Sequence, residues 1–213
     1  MSKSKLLNIA LYLAIITILY NIIEGAVSVM FGYEDETLAL FGFGLDSFVE
    51  VISGIGVLHM VIRMKTTDVG KHDNFEKTAL RITGTAFYLL SAGLIVSSII
   101  NFIYDIKPAT TLVGIIVSSV SIITMYFLMK AKLKIGNELK SDAIIADANC
   151  TKACFYLSFI LLTSSVLYEV LGIAYLDILG ALGISYFAFK EGKEALEKVK
   201  NNSISCCNNC NNG

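Results

Sequence analysis

The sequence contains no tryptophan and a single proline, and only 16% of its residues are charged, against roughly 25% in soluble domains. That shortage of charge excludes an ordinary water-soluble domain. The net charge of -1 bears on no partner by itself, but no basic stripe with interleaved aromatics appears, so a nucleic-acid partner is excluded. No phosphate-cradling glycine loop and no H-E-x-x-H pair is present. The chain therefore does not read as an enzyme or an ATP-driven pump, and no prosthetic group is expected. The five cysteines are not spaced as a disulfide framework. Two lie inside an apolar run and three in a polar tail expected in the reducing cytoplasm, so thiols are expected. The N-terminus has a positive start but no small-residue cleavage site, and its apolar run continues through Phe31. It reads as a retained first span and not a signal peptide.

What the chain does have is apolar length. It is 55% hydrophobic, with a mean hydropathy of +0.68. Six runs approach the ~20 apolar residues that cross a bilayer: roughly 6–31, 37–62, 82–104, 109–130, 143–168 and 171–189. The last two are separated only by a short turn near Gly172. A backbone in lipid must satisfy its own hydrogen bonds, so these runs are expected to be helices. Of the 17 lysines and arginines, all but Lys107 and Lys152 fall on one side of this pattern. Basic residues favour the cytoplasm, which places both termini there. The expectation is an all-α, multi-pass protein of the cell (plasma or inner) membrane. Residues 1–190 form a six-helix transmembrane domain. Residues 191–213 form a tail, first charged and helical, then low-complexity in "NNSISCCNNCNNG". Small-residue patches such as "SGIG" (53–56), "SAG" (91–93), "SSVS" (118–121) and "GALG" (180–183) read as close helix packing.

Against this background the ionisable residues inside the spans stand out, each costing about 2.5–3.5 kcal/mol at mid-membrane on insertion scales. "GLDSFVEVISG" places Asp46 and Glu50 four apart, on one helix face. Two carboxylates there repel unless a cation or shared protons join them. In "SDAIIADANCTKAC", Cys150 and Cys154 repeat the four-residue spacing, and Asp147 falls on the same stripe. Together the two spans offer four donors, Asp46, Glu50, Cys150 and Cys154. Tetrahedral oxygen and sulfur ligation suits zinc, and thiolates favour soft ions such as cadmium.

Each residue also has a structural reading. A cysteine in a span is most often a small hydrophobe. Lys152 can pair with Asp46 or Glu50 as a metal-independent ion pair, or tune the metal site. Asn21 and Glu24, late in the first span, can support the site, carry protons or meet Lys152. Asp142 is a helix cap by position, Asp177 lies near the outer surface, and Glu169 reads as a loop residue. Cys206, Cys207 and Cys210 can capture a soft metal, be acylated, or be inert.

These motifs resemble those of the cation diffusion facilitators. "LALFGFGLDSFVEVISG" matches the second-span D-x-x-x-[DE] pair of that family, which carries metal-ligand roles onto Asp46 and Glu50. "ADANCTKAC" matches the fifth-span H-x-x-x-D by position, with cysteines at both ligand positions. The resemblance covers nearly all of residues 1 to 195 and includes "FEKTALRITGTAF". It implies a six-helix bundle that exports a divalent metal ion in exchange for protons. The ion expected from the ligands is Zn2+, or cadmium or cobalt. Typical members add a cytosolic ferredoxin-like domain that dimerises. That domain is not found here, so a homodimer would form through the membrane helices. Two other classes remain: a membrane metal-binding or accessory protein that does not transport, and a thiol-redox membrane protein using Cys150 and Cys154.

Overall fold

The computed structural model describes residues 3–35, 37–66, 74–139, 142–173 and 175–200. They form six α-helices: α1 (Lys3–Glu34), α2 (Leu38–Thr66), α3 (Asn74–Tyr104), α4 (Leu112–Leu139), α5 (Asp142–Leu171) and α6 (Tyr175–Lys200). No strand occurs among the described residues. Five helices carry stretches long and apolar enough to cross a membrane, in Ser4–Glu34, Leu38–His59, Gly84–Tyr104, Leu112–Leu139 and Cys150–Leu171. The sixth expected span begins α6, but that helix is not among the five. Its apolar part ends at Phe189, where Lys190 and Glu191 begin a charged half. Large apolar side chains such as Leu19, Leu89, Ile116, Phe127 and Leu179 face outward, as lipid-facing residues do. The chain is a multi-pass integral membrane protein.

The helices associate chiefly as α1 with α2, α4 with α5 and α3 with α6, while α2 also touches α3, α5 and α6. Accordingly 53% of the α2 span is buried, against 28–33% for the other four. Leu40 and Phe43 of α2 meet Leu94, Leu161 and Ile184 in the main core. Lipid tails are as apolar as leucine, so close packing and buried hydrogen bonds must hold such helices together. The α1–α2 seam shows this at Gly32 and Gly44. A Cβ on Gly32 would lie 2.5 Å from the Phe41 nitrogen, and one on Gly44 would lie 2.7 Å from the Val29 nitrogen. Small polar residues pair across the other seams, with Ser91 and Ser185 at 3.0 Å and Ser158 and Ser121 at 2.9 Å.

The α5–α6 boundary lies where the Gly172 turn was expected. Gly172 has φ 65° and donates its N–H to the Tyr168 carbonyl at 2.7 Å, the left-handed C-cap that glycine adopts without strain. Two expectations change. The polar "KAKLKIGNELKSD" is not a loop from Lys130 on, because α4 continues to Leu139. Glu169 belongs to α5, where it accepts hydrogen bonds from Thr110 and Thr111 at 3.0 and 3.4 Å.

Candidate metal centre

Asp46 lies two turns into α2, with Ser47 beside it and Glu50 one turn on. The α1–α2 seam lays Asn21 and Glu24 against them. Asn21 donates Nδ2–H to Glu50 Oε2 at 3.0 Å. Ser47 donates its hydroxyl to Glu24 Oε2 at 3.1 Å, and Tyr20 donates to Glu24 Oε1 at 2.9 Å. Glu24 is thus held between two hydroxyls, and not by Lys152.

From the other side α5 brings Cys154. Its thiol donates to Asp46 Oδ2 at 3.7 Å. One ligand atom each from Asp46, Glu50 and Cys154 lie within 4.8 Å of one another. Asp46 is 2% exposed, Cys154 is fully buried, and Glu50 is half-buried, which makes Glu50 the open edge of the cluster. Asp46 Oδ1 is buried and has no hydrogen-bond partner. A tetrahedral ion with bonds of ~2.0–2.3 Å sets its donors about 3.5 Å apart. The three groups are therefore close to an ion-binding arrangement and would close on it by about an ångström. A carboxylate pair, a thiol that can lose its proton and an unsatisfied oxygen together suit a divalent cation.

Cys150, expected as the fourth donor, is half-buried and is not a member of this group. It forms no disulfide with Cys154. Asp147 is also not in the group. It points at Lys132 of α4, whose Nζ lies 2.8 Å from Asp147 Oδ2 and donates to Thr151 Oγ1 at 3.0 Å. Lys152 does not meet Asp46 or Glu50. It is exposed, with its ammonium 5.8 Å from the Tyr156 ring centroid. Asp177 caps α2 from α6, accepting the Leu38 and Ala39 N–H groups at 2.8 and 3.2 Å. Cys206, Cys207 and Cys210 lie outside the described residues.

Sequence reasoning missed Lys132, Tyr20 and Ser47. The Tyr20–Glu24 spacing of four was a readable signal. For Lys132 the signal was "KAKLK". Two residues turn a helix by ~200°, so the middle lysine cannot face the same side as Lys130 and Lys134.

No family model matches the chain. Over 183 residues it is 26% identical to "Uncharacterized transporter MJ0449" of Methanocaldococcus jannaschii, covering 82% of this chain and 64% of that protein. Over 194 residues it is 24% identical to "Manganese efflux system protein MneP" of Bacillus subtilis, covering 86% and 65%. These are distant similarities to transporters, and the chain spans slightly less than two thirds of each relative's length.

Proposed function

We propose that the protein exports a divalent metal cation across the cell membrane in exchange for protons, with Asp46, Glu50 and Cys154 holding the ion. The observation that carries this reading is the convergence of those donors from α2 and α5 within 4.8 Å inside a membrane bundle. The unpaired Asp46 Oδ1 supports it, as does the likeness to a protein named for manganese efflux. The thiolate favours zinc or cadmium over magnesium or calcium, which take six or more oxygens.

The Cys154–Asp46 hydrogen bond supports exchange. The Cys154 thiol carries a proton directed at Asp46. A metal thiolate needs that proton gone, so loading from the cytoplasm releases it. When the bundle opens outward, protons from that side compete the ion off. Alternating access then needs only that ion and protons stabilise the two conformations differently. The likeness to a protein named for manganese efflux supports export as the direction. Pairing through membrane helices belongs to the same proposal, and intramembrane crosslinking in native vesicles tests it.

The deciding experiment is zinc flux into proteoliposomes under an imposed proton gradient, read with a lumenal zinc dye. Cadmium, cobalt and manganese follow in the same format. Gradient-dependent flux that disappears in Asp46→Ala is the expected result. Full flux in Asp46→Ala refutes the site. Stoichiometric binding with no flux for any of the four ions identifies a membrane metal-binding protein instead.

A further inference from the structure

The cluster of Asp46, Glu50 and Cys154 supplies three donors, and Cys150 lies outside it. A candidate for the fourth stands on α1. Asn21 is fully buried, an unusual place for an amide in a membrane helix. The structure turns its Nδ2–H edge toward Glu50 Oε2, at 3.0 Å. The amide oxygen is therefore the other edge, and it is buried without a hydrogen-bond partner. Asp46 Oδ1 is in the same condition. Two unsatisfied buried oxygens thus belong to residues that flank Glu50, one from α1 and one a turn away on α2. Buried polar atoms in native structures almost always have partners, and an exception calls for an ion or water.

We propose that the Asn21 amide oxygen is the fourth metal donor, completing a three-oxygen, one-sulfur set with Asp46, Glu50 and Cys154. The inference rests on the reading of this cluster as an ion site and adds its missing ligand. The chemistry fits release as well as binding. An amide oxygen adds a ligand without adding charge, so the loaded site carries two carboxylates and one thiolate against a divalent ion. A second thiolate at that place would hold soft ions more tightly. An oxygen-rich set with one sulfur takes borderline divalent ions such as manganese, cobalt and zinc, and disfavours copper(I). The ligand also comes from α1, so the ion bridges three helices. The Gly32 and Gly44 contacts fix the α1–α2 register that puts Asn21 beside Glu50.

Cobalt(II) titration of the full-length protein in nanodiscs tests this. The sulfur-to-cobalt charge-transfer band reports Cys154, and the d–d bands report the other ligands. Asn21→Leu is expected to weaken binding by more than the ~10–100-fold that follows loss of a supporting partner. Its d–d bands should change while the charge-transfer band persists at saturating cobalt. Asn21→Asp separates ligand from support and decides the matter even if Asn21→Leu misfolds. It keeps an oxygen donor but loses the N–H that holds Glu50, and it sets a third carboxylate beside it. A ligand role predicts cobalt affinity within about tenfold of wild type at pH 8, with one additional proton released on binding. Loss of binding in Asn21→Asp would overturn the proposal while leaving the three-residue site standing. Wild-type protein without a charge-transfer band would overturn the three-residue site and this inference together.

Discussion

Lys132 Nζ lies 2.8 Å from Asp147 Oδ2, with the lysine 2% and the aspartate 12% exposed. The pair joins α4 to α5 on the α5 face that continues to Cys154. Thr151 adds a third contact to the ammonium at 3.0 Å. Removing one member of such a pair strands the other charge in a low-dielectric interior. Lys132→Met is expected to destabilise the bundle by about 3 kcal/mol. The double variant Lys132→Met with Asp147→Asn should recover most of that loss. Thermal unfolding in detergent micelles distinguishes the two. Equal destabilisation by the single and double variants would remove the ion pair as the cause.

How much of this was legible in the sequence depends on the period of each signal. The apolar runs located six helices because twenty oily residues admit little else. Asp46 and Glu50 were legible because their spacing keeps both on one face. Along α5 the same reasoning reached Cys154, while Cys150 and Asp147 lie outside the group that the structure brings together. Asp147 is only ~20° off the Cys154 line, but it lies ~10 Å away along the axis. Angular position alone made it a neighbour, and axial distance delivered it to Lys132. Cys150 is nearer along the axis and is half-buried. Asn21 stood out as polar, yet its contact with Glu50 depends on how deeply α1 settles onto α2. That depth is set by atom-level contacts at Gly32 and Gly44, which no periodicity encodes.

Lys152 is a control for the ion-pair reading. It lies on the outer side of α5, against Tyr156 and away from the carboxylates. Lys152→Met should change stability by no more than about 0.5 kcal/mol. It should also leave zinc binding unchanged. A parallel titration of the wild type and this variant checks both, and a tenfold loss of affinity would reinstate Lys152 as part of the site.

Asp177 acts at a distance on the same helix that carries Asp46 and Glu50. It accepts the first two N–H groups of α2, at 2.8 and 3.2 Å, from a side chain that is 2% exposed. Losing a helix cap costs ~1 kcal/mol, and up to about 2 where the cap is buried. Asp177→Ala is therefore expected to destabilise by about 2 kcal/mol. Hydrogen exchange should rise first at Leu38 and Ala39. Unchanged protection at those two amides would show that the cap is not what holds the start of α2.

The Cys154 thiol supplies the sharpest check on proton exchange, because it donates its proton in a hydrogen bond to Asp46. Zinc binding requires the thiolate, so each ion loaded must expel that proton. Serine at the same position keeps the hydroxyl donor to Asp46 but gives up its proton far less readily than a thiol. Cys154→Ser is therefore expected to release about one proton fewer per zinc bound. It should also lose more affinity for cadmium than for manganese, since only the soft ion depends on sulfur. Calorimetry in two buffers of different ionisation enthalpy counts the protons directly. An unchanged count in Cys154→Ser would place the displaced proton on a carboxylate, leaving the thiol a packing residue beside the ion.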